Sequence, residues 1–203
     1  MVWHDAPLTE NNFVITGVED DIQDDSDPVD VTTSVSTLNE DDILVGTAQA
    51  DILNGQAGSD RITGLGNNDR LIGGADDDHM NGGAGRDFLR GDQGSDRLYG
   101  GIGNDQIQGG DGSDRLYGGR GNDRLVGGLG RDVFVLEKGI GSDVIRDFQV
   151  GQDSLGLGQG LSFNRLDITQ SGRNTIISFG SDRLATLVGI QVNQVTSNQF
   201  IAM

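Results

Sequence analysis

The chain has 203 residues, of which 34 are glycine, two are histidine and none is cysteine. Its 32 acidic and 14 basic residues give a net charge of −18, which argues against nucleic acid and anionic membranes as partners and favours cations. The lack of cysteine excludes disulfides and thiolate chemistry. No apolar run approaches the length of a membrane-spanning helix.

Residues 1–40 form the first of three zones. They contain ten acidic residues and neither Lys nor Arg, a composition typical of a solvated, mostly disordered extension. The stretch "NFVITGV" at 12–18 predicts one short strand within it. The start of the chain, Met1 to Pro7, has neither a basic segment nor an apolar core, so we expect no ordinary secretory signal there.

The second zone, residues 41–135, carries a nine-residue repeat. Each copy has a glycine five residues before an aspartate and an apolar residue two after it, from Gly46 and Leu53 in the first copy to Gly127 and Phe134 in the last. A period of nine fits neither a helix nor a simple strand, and self-similarity at a fixed period indicates a solenoid. The ten aspartates of the series are Asp51, Asp60, Asp69, Asp78, Asp87, Asp96, Asp105, Asp114, Asp123 and Asp132.

One unit, G-G-x-G-x-D-x-U-x with U apolar, predicts a six-residue turn and a three-residue strand. The aspartate and U are two residues apart and therefore share a strand face, which we expect to point inward. Two units then close one flattened coil, and the fold class is an all-β parallel β-roll. Asp114 and Asp123 should lie on opposite edges of the roll, and Leu116 should face Leu125 across a thin core.

Stacked turns of this kind predict a calcium site. Neighbouring coils lie ~4.8 Å apart, and Ca²⁺ binds six to eight hard oxygens at about 2.3–2.6 Å, so an ion between two turns reaches both. Zinc fits poorly because the chain has only His4 and His79 and no cysteine, and Mg²⁺ prefers tighter octahedral sites. The alternative is that Asp and Gly merely form turns, but Asn or Ser would then alternate with Asp.

The repeats provide a sparse core. Each nine-residue unit buries one apolar side chain, worth ~1.5–3 kcal/mol, whereas ordering each residue costs roughly 1–2 kcal/mol. Without cations the stacked carboxylates would also repel one another. We therefore expect the repeat zone to be largely unfolded without calcium and to fold on binding it.

The intact copies "GGAGRD", "GGIGND", "GGDGSD", "GGRGND" and "GGLGRD" resemble the RTX (repeats-in-toxin) calcium-binding β-roll family, the serralysin- and haemolysin-type C-terminal region of secreted bacterial proteins. The resemblance implies a parallel β-roll with Ca²⁺ between stacked turns. One turn would contribute its Asp and the carbonyls of its first and third residues. The turn two units later would contribute its Asp and the carbonyls of its second and fourth residues.

Carried onto this chain, the resemblance implies specific ligand sets. One site uses Gly82, Ala84 and Asp87 with Gly101, Gly103 and Asp105, and the next uses Gly91, Gln93 and Asp96 with Gly110, Gly112 and Asp114. Two further sites start at Gly100 and Gly109 and add Ile102, Asp111, Gly119, Gly121, Gly128 and Gly130. Asp143, eleven residues after Asp132 in "GIGSD", would close a final site with Asp123. The roll would hold several calcium ions, up to about eight.

The third zone, residues 136–203, loses the repeat. The stretches "DVIRDF", "NTIISF" and "LATLVGI" predict short strands, and we interpret the zone as a β-rich C-terminal cap on the solenoid. Through "DVFVL" and "GSDVIRDFQVGQDSL" it resembles the C-terminal part of RTX modules. The family implies export through the type I secretion machinery by an uncleaved C-terminal signal, and folding outside the cell, where calcium is plentiful.

Two other functions stay open. The chain has neither H-E-x-x-H nor G-x-S-x-G, so we expect no enzyme activity, and the catalytic domain of a larger secreted hydrolase or toxin would lie outside this sequence. The outward positions Arg61, His79, Arg97 and Arg115, next to Tyr99 and Tyr117, could bind an extracellular anionic polysaccharide, or could be a solvated face that offsets the acidic edges. We expect a monomer.

Overall fold

The computed structural model describes residues 14–16, 41–139 and 141–203. The acidic extension predicted for residues 1–40 lies outside the described residues, apart from one strand within "NFVITGV". In chain order the strands are β1 (Val14–Thr16), β2 (Ile43–Val45), β3 (Ile52–Ala57), β4 (Arg61–Gly66), β5 (Arg70–Ala75), β6 (His79–Ala84), β7 (Phe88–Gln93), β8 (Arg97–Ile102), β9 (Gln106–Asp111), β10 (Arg115–Arg120), β11 (Arg124–Leu129), β12 (Val133–Leu136), β13 (Asp143–Ile145), β14 (Ser154–Leu157), β15 (Asp167–Ser171), β16 (Asn174–Phe179), β17 (Asp182–Leu187) and β18 (Phe200–Ala202).

The strands form two sheets between which the chain alternates. One sheet has the order β1-β2-β4-β6-β8-β10-β12-β14-β18, and the other has the order β15-β16-β17-β13-β11-β9-β7-β5-β3. Within the repeats every pairing is parallel and joins residues eighteen apart, for example Leu116 with Leu98. Two units therefore make one coil, and the predicted parallel β-roll is confirmed.

The repeat strands are longer than expected. The strands β3 to β11 span six residues rather than three, because pairing resumes at the second glycine of the following turn, as in Gly119 with Gly101. Within the strand only the first glycine of the turn, Gly118 in β10, drops out of the register, and the positive φ angles of this turn lie at Gly119 and Gly121. Each turn thus shares backbone hydrogen bonding with the turn stacked on it, which fixes the two turns relative to each other.

The apolar residue of each repeat points inward, as predicted. Leu116 and Leu125 lie in opposite sheets and are both fully buried. The ten residues, none more than 5% exposed, are Leu53, Ile62, Leu71, Met80, Leu89, Leu98, Ile107, Leu116, Leu125 and Phe134. The core of the roll is therefore two facing columns of single side chains.

Parallel stacking continues beyond residue 135, the boundary that the repeat predicts. β14 pairs with β12 and β18 pairs with β14, while β13 stacks on β11. Stacking continues because it depends on backbone hydrogen bonds and on buried residues such as Ile145 and Leu155, not on the glycine pattern. The predicted strands in "DVIRDF", "NTIISF" and "LATLVGI" correspond to β13, β16 and β17.

The end of the chain covers the last coils. β15, β16 and β17 form an antiparallel meander that joins the second sheet through β13. Three short 3₁₀ helices, Phe163–Arg165, Val192–Gln194 and Ser197–Gln199, connect the remaining strands. Over the ranges that the structure describes, no helix is long and apolar enough to cross a membrane.

Candidate metal centre

Buried aspartates stack in two columns, one along each edge of the roll. In each column the backbone N–H of one Asp donates to Oδ1 of the next, as from Asp105 to Asp123 at 2.8 Å. The Asp123 edge consists of Asp51, Asp69, Asp87, Asp105, Asp123 and Asp143. The Asp132 edge consists of Asp42, Asp60, Asp78, Asp96, Asp114, Asp132 and Asp153.

The second carboxylate oxygen of most of these aspartates is buried without a hydrogen-bond donor. A buried polar atom without a partner costs about 1–3 kcal/mol, and more when it is charged. The atoms concerned are Oδ2 of Asp60, Asp69, Asp78, Asp87, Asp96, Asp105, Asp114, Asp123 and Asp132. Oxygens of this kind, repeated at every coil, indicate a ligand that is positively charged and present in several copies.

Burial makes these carboxylates difficult to ionise without such a ligand. It raises the pKa of Asp69 to about 7 and that of Asp78 to about 8, above the usual 3.8. Backbone N–H donors from the neighbouring coil oppose the rise, and the stacked aspartates of the same edge add to it. A divalent cation between the coils would reverse this balance, because it favours the charged form.

The first glycine of each turn leaves space beside the unpartnered oxygen. At Gly82, the position that a Cβ would occupy lies 2.5 Å from Asp87 Oδ2 and 2.6 Å from the carbonyl oxygen of Gly100 in the next coil. A carboxylate oxygen and a carbonyl oxygen, both hard ligands of the kind that Ca²⁺ binds, therefore lie close together against this glycine. Any side chain at Gly82 would fill this space, so the repeat needs glycine here.

The carbonyl directions reverse one assignment that the resemblance implies. The carbonyl oxygens of Gly101 and Gly103 lie against the following coil, beside Gly119 and Gly121, and not against the coil of Asp87. Gly82 likewise presents its oxygen to the preceding coil, beside Gly64. The predicted grouping of Gly82 and Ala84 with Gly101 and Gly103 therefore does not match these carbonyl directions, and neither does the grouping of Gly91 with Gly110. Which residues bind calcium stays a prediction.

The reversal follows from the alternation of carbonyls along extended backbone. First- and third-position oxygens face the earlier coil: Ile102 O accepts from Gly85 N–H at 2.8 Å, and Gly100 O lies beside Gly82. Second- and fourth-position oxygens, such as those of Gly83 and Gly85, face the later coil. The oxygens between the coils of Asp87 and Asp105 therefore come from a different set of four residues: Gly83, Gly85, Gly100 and Ile102.

This donor set fits calcium. Within the described residues, no three His, Asp or Glu side chains gather into a cluster that could hold a metal by themselves. A cation between the coils must therefore be completed by backbone carbonyls. Carboxylate plus carbonyl oxygens is the combination that Ca²⁺ binds, whereas zinc takes imidazole and thiolate.

The repeats match a known protein family. The model of the RTX calcium-binding nonapeptide repeat matches in four overlapping copies, at residues 37–71, 63–98, 72–107 and 99–134. The repeat region belongs to the RTX calcium-binding family. This family describes a calcium-binding repeat and not a catalytic domain.

Two solved structures match this chain at low sequence identity. The AlgE6R3 subunit of the Azotobacter vinelandii mannuronan C5-epimerase is 21% identical, with 87% of this chain and 86% of that chain covered and a TM-score of 0.35. The extracellular lipase LipA of Serratia marcescens is 16% identical with a TM-score of 0.26, and the match covers 80% of this chain but only 38% of the lipase. No curated protein sequence matches significantly. The TM-scores are low, so the family assignment rests on the RTX repeats.

The structure brings the aspartates of the RTX repeats together in the predicted way, eighteen residues apart. Asp114 Oδ1 accepts the backbone N–H of Asp96, and the backbone N–H of Asp114 donates to Asp132 Oδ1. Asp114 lies on the opposite edge from Asp123. Asp143 lies next to Asp123, whose N–H donates to its Oδ1 at 3.1 Å. That these residues bind calcium stays a prediction.

The sequence analysis did not predict two of the aspartates in these columns, Asp42 and Asp153. Asp42 is buried and its N–H donates to Asp60 Oδ1 at 2.7 Å. It lies nine residues before Asp51 with Leu44 two residues later, so the period could have found it even though the glycine is lacking. Asp153 is 21 residues after Asp132 and follows no period, so only the fold reveals it.

Proposed function

We propose that this chain is an extracellular calcium-binding module whose RTX roll folds when calcium fills the stacked turns. The observation that supports the proposal is the set of nine buried, unpartnered Oδ2 atoms along the two edges. Each would cost free energy in every folded molecule unless a cation were bound beside it. Calcium is therefore part of the folded structure and not an optional addition.

The same feature gives the module a use in secretion. An ion that binds only the folded state stabilises it in proportion to the excess of ion over the dissociation constant. Extracellular calcium modules bind at about 10⁻⁴–10⁻³ M, well above cytosolic calcium. The chain would stay unfolded inside the cell, pass through a type I secretion channel in that state, and fold outside.

Calcium titration followed together by calorimetry and far-UV circular dichroism tests the proposal. We expect several ions to bind per chain, with the β-sheet signal appearing over the same range of calcium concentration. Mg²⁺ at equal concentration is the control and should produce little of the signal. A full β-sheet spectrum in the presence of a chelator would refute the proposal.

A second candidate function, binding of an anionic polysaccharide, is supported by the outer face of the first sheet. Tyr99 and Tyr117 stack with ring centroids 4.3 Å apart, and His79 stacks on Tyr99 at 5.3 Å. Arg97 and Arg115 are exposed beside them in register. In the part of the chain that the structure describes, the one recorded ion pair is elsewhere, on the second sheet, which leaves these guanidinium groups available for carboxylates.

Binding of polygalacturonate oligosaccharides in saturating calcium tests this candidate. The double variant Arg97→Gln/Arg115→Gln should bind at least about tenfold more weakly than the parent chain. Arg124→Gln/Arg146→Gln, in β11 and directly after β13, is the matched control and should bind normally. Equal loss in both variants, or no binding by the parent chain, would exclude this face as the site.

A further inference from the structure

The two edges of the roll end in different ways. On the Asp123 edge the last carboxylate belongs to Asp143, and on the Asp132 edge it belongs to Asp153. Both aspartates lie outside the nine-residue period, and each accepts the N–H of the last repeat aspartate through Oδ1 at 3.1 Å. The difference lies in what surrounds the second oxygen.

At Asp143 the second oxygen converges with another carboxylate. The position that a Cβ would take at Gly118 lies 2.5 Å from Asp123 Oδ2 and 2.9 Å from Asp143 Oδ2. In the earlier turns the corresponding neighbour from the next coil is a glycine carbonyl, as Gly100 is for Gly82. A charged oxygen thus replaces a neutral one, and Asp123 Oδ2 is buried with no hydrogen-bond partner.

At Asp153 the protein itself occupies the corresponding place. Oδ2 of Asp153 accepts the N–H of Gln149 at 2.8 Å, so it already has a donor. The would-be Cβ of Gly127 meets Phe134 Cζ at 2.9 Å, where the other turns present an oxygen. The side-chain amide of Gln149 donates to Gly128 O at 3.1 Å. Asp147 also lies at this end, but its two carboxylate oxygens accept the N–H groups of Gly127 and Gly128 at 3.0 and 2.9 Å. The carboxylates added at this end are therefore already hydrogen-bonded, and only Asp132 Oδ2 is recorded as buried without a partner.

We propose that Asp123 and Asp143 form the tightest calcium site of the chain, and that an ion beside Asp132 Oδ2, at the end of the other edge, belongs to the weaker class. The proposal rests on the proposed function and adds which site fills first. Calcium affinity rises with the number of charged ligands and with the rigidity of the site. Here Oδ2 of Asp123 and Oδ2 of Asp143 both lie against the first glycine of one turn, and Asp123 and Asp143 are 1% and 7% exposed.

The position of Asp143 at the end of its column strengthens the site further. Each repeat aspartate lies between two coils and would share its charge between two ions. Asp143 has Ala185 of β17 as its neighbour on the far side, so no further carboxylate follows it in the sheet. Its full charge is therefore available to one ion.

Calorimetric titration of the full chain with calcium, using the isosteric variants Asp143→Asn and Asp153→Asn, tests the proposal. The parent chain should show one tight ion and a weaker class. Asp143→Asn should abolish the tight ion or weaken it at least about tenfold, while Asp153→Asn should leave the affinity of the tight ion unchanged. An unchanged tight ion in Asp143→Asn, or equal loss in both variants, would overturn the proposal.

Hydrogen exchange of the parent chain with one equivalent of calcium gives an independent readout that needs no variant to fold. Amides of residues 118–123 and 141–145 should gain protection before those of 127–132. Protection that begins at 127–132 would contradict the proposal. A chain that binds no calcium at all would instead refute the proposed function, so the two failures are distinguishable.

Discussion

The repeat region and the C-terminal region stack in one roll but are stabilised by different means. Each repeat contributes one buried apolar side chain, and every unpartnered buried side-chain atom recorded in the described residues belongs to a repeat aspartate. The C-terminal region buries Ile177, Leu184, Ala185 and Leu187 close together in sequence, and its buried Thr175 hydroxyl donates to Ile190 O at 2.9 Å. Among the described residues, the unpartnered buried side-chain atoms on record are the Oδ2 atoms of repeat aspartates, and none belongs to the C-terminal region.

From this contrast we predict that the stability of the repeats depends on calcium, and that the stability of the C-terminal region depends mainly on apolar burial. Paired, satisfied polar groups and a contiguous apolar cluster can hold a small β unit without an ion. Columns of buried carboxylates cannot, because desolvation and mutual repulsion both oppose the charged form. The following experiments test this distinction.

Removal of calcium should have the largest effect. In a chelator, backbone amides of residues 61–129 should lose most of their protection against hydrogen exchange, because the carboxylate columns then lack their counter-charge. Amides of β16 and β17 should retain more protection in the same sample, which serves as the internal control. Equal protection of the two regions in chelator would show that they do not differ.

Acidification of the calcium-free chain should partly restore the repeats. Burial raises the pKa of Asp69 and Asp105 to about 7 and that of Asp78 to about 8, from 3.8. The folded state therefore binds protons more tightly than the unfolded state, so its stability falls as pH rises from about 4 to about 8. In chelator, the β-sheet signal in circular dichroism should be larger at about pH 5.5 than at about pH 8.

The calcium-loaded chain should respond in the opposite direction. Calcium requires ionised carboxylates, so protons compete with it and its affinity should fall on acidification. Calorimetry at the same two pH values measures this. A calcium-free chain that is more ordered at the higher pH would contradict the assignment of the buried aspartates as the cause of unfolding.

The fold of the repeats could be predicted from sequence because each requirement recurs at one period. Leu98 and Asp96 are fixed to the same face by their spacing, and stacking of coils repeats the pattern. Carbonyl direction could not be predicted, since it depends on which way the backbone of Gly82 or Gly101 faces between coils. Asp153 follows no period, so its place in the Asp132 edge depends on how the chain returns after β12.

Truncation of one core residue in each region, measured with and without calcium, should show whether the stability of the two regions depends on calcium to different extents. Leu116→Ala removes a fully buried side chain from the roll and should lower the free energy of unfolding of the calcium-loaded chain by about 2–5 kcal/mol. Leu187→Ala, in the C-terminal region and also fully buried, should have a similar effect with calcium.

The two variants should differ without calcium. Residual structure in chelator should fall in Leu187→Ala and stay unchanged in Leu116→Ala, because the roll around Leu116 is then already unfolded. Denaturant unfolding followed by circular dichroism with and without calcium measures both effects. A loss of residual structure in Leu116→Ala alone would place the calcium-independent structure in the roll.

The smallest expected difference concerns two glycines with positive φ. Gly101, at φ 107°, lies against the carbonyl of Gly83 in the preceding coil, whereas Gly139, at φ 73°, has nothing within 4 Å of its would-be Cβ. Gly139→Ala should therefore cost only the left-handed backbone strain, about 1–2 kcal/mol. Gly101→Ala should cost that and more, because the new methyl group pushes two coils apart. Thermal unfolding in saturating calcium compares them, and equal losses would mean that the contact between coils is not tight.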